Sequence, residues 1–450
     1  MIFLKRKRLI FWLLKAYFKR WRKTILFSFI GGLIIFILLS ITSSFFVNLY
    51  PLKNKEIIGI LGSYTRDNLP YEVSSKIGIG LTTVGEDGQA QPALAKSWVI
   101  KDNGKTYIFY LNRDMYFSDK TRVTSDLINY NFLDVTVERP DEDTIIFKLK
   151  DSYSPFLITV SRPIFKKDFI GVGEYKLSSI DLNGDFVRSV ELLGEDKSIL
   201  VYQFYPTDKS LKIAFLLGEI FKIQGISDID FLGTTLNSFP GFKLEKQIDY
   251  TALATLFYNT RDGILSDERM RRALSYTMPD TFSYGERSRL PYPPNLWATS
   301  PSFDSYMQDL EHARLLISQS QATKSAKLSL TIKTLKKYKT TAEEIKNSWG
   351  KIGISTKIEE VDSFPQNFQL FLGEFNVPSD PDQYVLWHSA QGNNITGYRN
   401  LRIDKLLEDG RRTVDLNERK KIYSDFQKYI LDDPPATFLF FPYSYTVLRK

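Results

Sequence analysis

Three acidic residues near the C-terminal end of the sequence are the strongest candidates for chemistry. Asp380 and Asp382 flank a proline, and Glu374 lies six residues before the first of them. A carboxylate at a cleft can hold an ammonium group through a charge-assisted hydrogen bond. Ser-Asp-Pro is also turn chemistry by itself, so the same acids could simply cap a turn. We take Asp380 as the first candidate for a ligand carboxylate and Glu374 as the second, and the structural role stays open.

Aromatic and amide side chains follow these acids closely. Their rings could stack on ligand groups, and their amides could hydrogen-bond the main chain of a ligand. Core packing is the alternative role for each of them. The candidates are Tyr384, Trp387, Asn394 and Tyr398.

The composition argues against several kinds of chemistry. The 450 residues include no cysteine and two histidines, which excludes disulfides and cysteine nucleophiles and argues against a dedicated transition-metal site. No Gly-x-Ser-x-Gly, His-Glu-x-x-His or phosphate-loop pattern is present. The sequence therefore predicts a protein that is not an enzyme and that has no cofactor.

The N-terminal region carries a membrane signal. Nine of residues 1–24 are Lys or Arg and none is acidic, while the run from Thr24 to Leu52 contains no charged residue. We therefore expect a basic cytoplasmic segment at 1–24 and a single transmembrane helix at 25–49, with the large domain outside the cell membrane. A cleaved signal peptide is the alternative. Subtracting the nine basic residues from the net charge of +8 leaves −1, so the rest of the chain gives no reason to expect nucleic-acid binding.

The candidate acids lie in a region whose predicted elements alternate between strand and helix. Strands at 328–332 and 354–361 flank a helix at 341–349, which predicts a βαβ unit and a partly parallel sheet. Asp415, with a glutamate three residues later, predicts the start of a further helix. A final aromatic strand is expected at 436–448.

Turn residues divide the first half of the chain. Asp102-Asn103-Gly104 stands between two β-prone runs, which is a strong signal for a hairpin because both central turn positions need positive φ. A strand is expected at 144–150. Ser266 is the predicted N-cap of a helix at 267–277.

Several segments, taken in order, resemble one known family. They are Pro92–Trp98, Asp102–Tyr107, Phe117–Asp119, Pro378–Tyr384, Trp387–Ser389, Asn394–Tyr398 and Ile403–Leu407. Together they resemble the solute-binding proteins of family 5, the oligopeptide/dipeptide-binding type that serves ABC transporters. Lys120 departs from the family, which usually has glycine there, so we expect a different turn at this position.

The resemblance implies an α/β fold of the two-lobed type II periplasmic-binding-protein kind, preceded here by one N-terminal transmembrane helix. Lobe I would span 52–253, lobe II 254–434, and residues 435–450 would return to lobe I. In the family the Asp-Pro-Asp segment supplies a carboxylate near the end of a peptide ligand, and Asp380 is the matching residue.

The implied function is membrane-anchored capture of a peptide or peptide-like small solute, with ABC permease subunits as partners. Two alternatives stay open. The same fold could bind a non-peptide solute, or the protein could be a tethered envelope interaction or sensory protein that is not coupled to transport.

Overall fold

The computed structural model describes residues 20–23, 27–28, 30–33, 55–300, 306–320 and 328–449. Within these ranges, none of the helices is both long and apolar enough to cross a bilayer. Most of the predicted basic segment and most of the predicted transmembrane helix lie outside the described residues, so both stay predictions. Residues 56–196 and 200–450 form one compact unit, which the following paragraphs describe.

The described chain alternates between strands and helices over its whole length. The strands are β1 (Lys55–Leu61), β2 (Thr82–Val84), β3 (Ala90–Pro92), β4 (Ala95–Lys101), β5 (Thr106–Leu111), β6 (Val135–Asp141), β7 (Thr144–Leu149), β8 (Tyr175–Asn183), β9 (Phe186–Gly194), β10 (Ile199–Tyr205), β11 (Lys222–Ile226), β12 (Asp230–Phe231), β13 (Thr234–Thr235), β14 (Phe242–Ile248), β15 (Ala252–Tyr258), β16 (Gly285–Arg287), β17 (Ser329–Leu335), β18 (Ser355–Val361), β19 (Leu370–Asn376) and β20 (Ala436–Arg449). The helices are α1 (Tyr71–Ile77), α2 (Phe156–Thr159), α3 (Asp208–Leu217), α4 (Glu268–Tyr276), α5 (Leu310–Gln319), α6 (Lys339–Gly350), α7 (Tyr384–Trp387), α8 (Leu401–Arg412) and α9 (Leu416–Asp432).

One large mixed sheet joins two lobes. Its strand order is β18-β17-β19-β15-β20-β11-β1-β10-β9-β8, with β14 and β16 also paired to β20. The long strand β20 pairs with β15 through Ala436–Phe440 and with β14 through Tyr443–Arg449. In the division predicted from the sequence, the strands from β18 to β19 and most of β15 fall in lobe II, and those from β11 to β8 fall in lobe I. The lobe boundaries predicted from the sequence stay predictions; β20 pairs with β15 and β16 as far as Pro442 before it pairs with β14 from Tyr443 onward.

The lobe II sheet contains the predicted βαβ unit. Strands β17 and β18 run parallel in continuous register from Ser329 paired with Ser355 to Leu335 paired with Val361, and α6 connects them. Helix α6 buries Trp349 completely, and the indole Nε1 of this residue donates to Thr277 Oγ1 at 2.7 Å. The expected partly parallel sheet is therefore present, and α6 fixes it against the end of α4.

Both faces of the lobe II sheet are covered, because alternate residues of a strand point to opposite sides. Leu253 and Phe257 of β15 pack with Phe371 and Phe375 of β19 in one core cluster. The residues between them, such as Leu256, pack in a second cluster with α4 and α6. The first cluster also contains the buried apolar residues of α7, α8 and α9, so it supports the region of the candidate acids.

A four-stranded sheet in the order β4-β5-β7-β6, together with the β2-β3 pair, forms what we call the small subdomain. The predicted hairpin joins β4 and β5, and Asp102 and Asn103 have φ angles of 52° and 53° as that turn requires. Tyr107 and Phe147 are fully buried in the core of this sheet.

The turn at Lys120 places this residue in a backbone conformation that favours glycine. Lys120 has a φ of 68°, and its backbone N–H donates to Phe117 O at 2.8 Å. Whether this turn differs from that of the family, as the sequence predicts, stays a prediction. Hydrogen bonds around the turn, including the one from Phe117 N to Thr121 O at 2.8 Å, hold the backbone against the cost of that conformation.

Helix starts follow side-chain capping, with one shift from the prediction. Asp415 caps α9 as expected, accepting from Glu418 N at 2.9 Å. The N-cap of α4 is Asp267, which accepts from Arg269 N at 2.9 Å, so the prediction of Ser266 was wrong by one residue. Ser266 instead donates to Gly263 O at 3.2 Å.

Candidate functional site

Asp380 lies at the buried centre of the predicted acidic segment. Its carboxylate accepts two hydrogen bonds from Arg419 of α9, at 2.8 Å to Oδ1 and 3.1 Å to Oδ2. The two side chains are 8% and 6% exposed, respectively. Oδ1 also accepts from Asp382 N at 3.0 Å. The carboxylate is therefore part of a buried, two-pronged ion pair inside lobe II.

Asp382 has an arginine partner of its own. Arg411, near the end of α8, places Nε 2.8 Å from Asp382 Oδ2, and Oδ1 accepts from Tyr384 N at 3.1 Å. Burial raises the pKa of the Asp382 carboxyl above its ordinary value, and Arg411 opposes that shift. The two acids of the Asp-Pro-Asp segment are thus each matched by one arginine from a following helix.

Glu374 lies on β19. Its carboxylate accepts from Lys337 and from the hydroxyl of Tyr338. Burial raises the pKa of the Tyr338 hydroxyl, and the neighbouring Glu374 charge adds to the shift. Glu374 is therefore also paired, by residues that follow β17 directly.

Tyr384 and Trp387 occupy the short helix α7 but have different roles. Tyr384 is partly exposed, stacks on His388 with ring centroids 4.2 Å apart, and has the Arg411 guanidinium 4.4 Å from its own ring. Trp387 is 1% exposed and donates from Nε1 to Gln383 Oε1 at 2.7 Å. Trp387 thus packs mainly in the core, whereas Tyr384 lies beside the Asp382–Arg411 pair.

Asn394 and Tyr398 stabilise their own loop. Asn394 Nδ2 donates to Tyr398 O at 2.8 Å, and Tyr398 Oη donates to Asp433 Oδ2 at 3.1 Å. Burial raises the pKa of Tyr398, and the Asp433 carboxylate adds to this. Tyr398 borders an open polar groove on lobe II together with Arg261 and other residues, so it does not share a pocket with Glu374 or Trp387.

An apolar pocket lies on lobe II beside the ends of its parallel strands. It has a volume of about 290 Å³. Leu335 is the last residue of β17, and Phe364 follows the end of β18. Ligands of open α/β sheets bind outside the carboxyl ends of the strands, which is where Leu335 lies, whereas the Phe364 ring packs over the sheet on Phe371 of β19. The lining residues are Phe257, Leu335, Phe364, Phe371, Glu374, Phe375, Leu386, Trp387, Asn393 and Ile395.

The small subdomain contacts lobe II next to the paired acids. Trp297 N donates to Asp87 O at 2.9 Å, and Ser154 N donates to Arg411 O at 2.7 Å. The Arg411 guanidinium is also 5.1 Å from the ring of Tyr153. Gly88 is needed at this contact because its φ is +79° and an added Cβ would lie 2.8 Å from Ser379 O. We call these the closing contacts; they bring the subdomain against the Asp-Pro-Asp segment.

The structure divides the seven sequence-predicted residues among separate places. Glu374 and Trp387 line the apolar pocket, Asp380, Asp382 and Tyr384 lie near the closing contacts, and the other two stabilise a loop. Whether any of the seven contacts a ligand stays a prediction. Sequence reasoning missed Arg411 and Arg419, since nothing local links them to acids about 30 to 40 positions earlier. It also missed the pocket residues Phe364 and Leu386.

Within the described ranges, no group of three or more His, Cys, Asp or Glu residues is placed to hold a metal ion. The geometry instead defines a two-lobed binding protein, with an apolar pocket on one lobe and closing contacts between the lobes. This class of protein is what the comparisons with known proteins also indicate.

A profile described as "Bacterial extracellular solute-binding proteins, family 5 Middle" matches residues 89–397. The chain is 22% identical over 406 residues to the Probable D,D-dipeptide-binding periplasmic protein DdpA of Escherichia coli K12, covering 77% of this chain and 78% of that protein. It is 21% identical over 477 residues to the Oligopeptide-binding protein AppA of Bacillus subtilis 168, covering 86% and 84%.

Among solved structures, the chain is similar to NikZ from Campylobacter jejuni in complex with Ni(L-His). The TM-score is 0.69 at 22% identity, and the alignment covers 88% of this chain and 94% of that one. This likeness shows the fold, and it confirms the predicted two-lobed α/β architecture. Because the profile matches more than half of the chain, the protein belongs to the family 5 solute-binding proteins of ABC transporters. The prediction that it is not an enzyme is confirmed by this membership.

Proposed function

We propose that this protein captures peptides in the cleft between its lobes and delivers them to an ABC permease from the outer face of the cell membrane. The observation that carries the proposal is the arrangement of the closing contacts. They bring the small subdomain against lobe II, while the chain passes between the lobes at residues 249–251 and along β20. Two lobes that are linked by strands and close over a cleft can enclose a solute by hinge motion.

Peptides are the favoured ligand class because of the relatives. Two of them are named as binding a D,D-dipeptide and an oligopeptide, and each is matched over more than three quarters of its length. An apolar pocket with few polar groups also suits a peptide side chain. These two observations support peptide capture together, since neither defines the ligand alone.

The membrane anchor is part of the same proposal and rests on the sequence. Nine basic residues within 1–24 precede a stretch without charges that is long enough to span a bilayer core of about 30 Å. Lys and Arg excess marks the cytoplasmic side of a membrane helix. We therefore place the N-terminus in the cytoplasm and the two lobes outside, held near the permease by a single membrane pass.

A non-peptide solute is the second candidate. The similar structure of NikZ contains Ni(L-His), so the same fold accommodates a metal chelate in that protein. A tethered envelope interaction or sensory role, without transport, is the remaining alternative.

Native mass spectrometry of the full-length protein, purified without refolding in a nonionic detergent, tests the proposal. We expect a peptide to co-purify, to be released on unfolding, and to raise the unfolding temperature when it is added back. A metal chelate or another small solute in its place would support the second candidate. A protein that carries no solute and that peptide mixtures do not stabilise would contradict both, and would favour the interaction role.

A further inference from the structure

We infer that the peptide is selected by one bulky apolar side chain that enters the apolar pocket of lobe II, and not by its α-ammonium group. This inference rests on the proposed peptide-binding function and specifies its substrate class. The preferred ligands are peptides with an aromatic or large aliphatic residue, and a blocked N-terminus should be tolerated.

The lining of the pocket is almost entirely apolar. Eight of its ten lining residues are Phe, Trp, Leu or Ile, and the other two are Glu374 and Asn393. Its volume of about 290 Å³ is near the lower end of the usual range for small-molecule sites, about 300–1,000 Å³. A pocket of this size and lining suits one large side chain rather than an extended charged group.

The rings of the pocket are arranged to receive another ring. Phe364 meets Phe371 edge-on, with centroids 5.2 Å apart and an interplanar angle of 85°, and Phe257 lies nearly parallel to Phe371 at 6.1 Å. Aromatic pairs prefer such edge-to-face and offset geometries. Phe364 is 45% exposed whereas Phe257 and Phe371 are buried, so Phe364 is at the mouth of the pocket.

The one acidic residue of the lining, Glu374, is already paired. Glu374 accepts hydrogen bonds from Lys337 and Tyr338, which lie just after the end of β17. Because Glu374 is next to Phe375 in β19, its side chain is on the opposite face of the sheet from the Phe375 ring, beside Tyr338 of the second core cluster. The pocket therefore offers an ammonium group little net attraction.

The Asp-Pro-Asp acids are paired as well. Arg419 binds both carboxylate oxygens of Asp380 in a buried position, and Arg411 lies against Asp382. An ammonium group that took Asp380 from Arg419 would leave a buried guanidinium without its partner, and such an unpaired buried charge is costly. The charge of each acid is thus balanced by an arginine of the protein itself. The apolar pocket is then the remaining feature that can discriminate between ligands.

The test compares matched peptides on the full-length protein in nonionic detergent. One pool contains alanine tetrapeptides with a single Phe at each of the four positions, and a second pool carries Ser in place of Phe. Each pool is made with a free and with an acetylated N-terminus, and dissociation constants are measured by isothermal titration calorimetry. Burial of one large apolar side chain predicts that the Phe pool binds roughly 10- to 100-fold more tightly than the Ser pool. Acetylation should change the affinity less than about threefold.

Two variants in the same short helix locate the effect. Leu386 lines the pocket, whereas the adjacent Val385 is 44% exposed and does not line it. Leu386→Asp should remove the preference for Phe over Ser, and Val385→Asp should keep it. Because Leu386→Asp could unfold lobe II, Phe364→Ser at the exposed mouth serves as a second variant and should reduce the preference several-fold.

Three results would overturn the inference. If the Phe and Ser pools bind equally and acetylation abolishes binding, peptide capture stands but selection by an apolar side chain is wrong. If the Phe preference survives in Phe364→Ser and in a folded Leu386→Asp protein, the Phe side chain binds at a site other than the apolar pocket. If no pool binds and no peptide co-purifies, the proposed function itself fails, and the inference fails with it.

Discussion

The buried pair of Asp380 and Arg419 gives the sharpest prediction, because it separates a structural acid from a ligand-binding acid. Asp380→Asn keeps the shape of the side chain and one carbonyl oxygen, but it removes the charge that faces Arg419. The Arg419 side chain is 6% exposed, so water cannot replace the lost partner. Arg419 also donates from Nε to Gly410 O at 2.9 Å, which holds the guanidinium in its buried position.

The expected magnitude follows from this burial. Removing one partner of a buried ion pair costs about 3–5 kcal/mol, and the retained carbonyl oxygen places Asp380→Asn at the lower end, about 3 kcal/mol. For a cooperative unit of the size of one lobe this corresponds to a fall of about 6–12 °C in Tm. Differential scanning calorimetry of the full-length protein, without peptide, measures the shift.

A matched control and a second mutation complete the experiment. Lys405 and Asp409 form an ion pair at 2.6 Å on the exposed side of α8, so Asp409→Asn should cost less than about 0.5 kcal/mol. A double-mutant cycle combines Asp380→Asn with Arg419→Met. The double variant should be more stable, by about 1–3 kcal/mol, than the sum of the two single-variant effects predicts. Our interpretation is refuted if Asp380→Asn leaves the Tm unchanged but abolishes peptide binding, since Asp380 would then be the ligand carboxylate that the sequence suggested.

Three further predictions concern the small subdomain and its contact with lobe II. Lys120→Gly should stabilise the protein by about 0.5–1 kcal/mol, measured as a rise in Tm, because Lys120 has a φ of 68° and glycine adopts this conformation without strain. Hydrogen bonding to Lys166 and to backbone lowers the pKa of Asp119 to about 2, below the unfolded value of 3.8, so its contribution to stability is present above pH 3.8 and is lost as the pH falls through about 2. Lys166→Met should therefore move the Asp119 carboxyl titration, followed by NMR, upward toward its ordinary value; an unmoved midpoint would contradict this cause. Gly88→Val should open the cleft and increase the radius of gyration in small-angle X-ray scattering, whereas Gly184→Val, also at positive φ but with open space around it, should not.

The parts of the fold that the sequence predicted are those with local causes. The hairpin at Asp102 and Asn103 follows from the positive φ that its turn demands, and Asp415 caps α9 through a backbone donor three residues away. The βαβ unit of β17, α6 and β18 follows from the alternation of apolar runs and from the length of each run. Such features depend only on residues close in the sequence, so they could be predicted from the sequence alone.

The candidate site could not be read in the same way, because its physical content is long-range. Asp380 pairs with Arg419, 39 positions later, and the sequence around either residue does not indicate the other. Phe371 and Phe375 alternate along β19 as core residues do, and only the packing of α7 and the residue at 364 shows that a pocket remains beside them. The sequence pattern of such a strand is the same whether its aromatic face is covered by other parts of the protein or left open to form a pocket.

If the lobes close over a ligand as proposed, the closing contacts must be weak enough for ligand binding to shift the balance between open and closed lobes. They include backbone hydrogen bonds from Trp297 to Asp87 and from Ser154 to Arg411, and a side-chain bond from Asn295 to Glu86 O at 2.6 Å. Each such bond contributes about 0.5–1.5 kcal/mol net, so together they supply a few kcal/mol against the freedom that the lobes lose on closing. A solute can shift that balance only by the difference in its affinity for the two states.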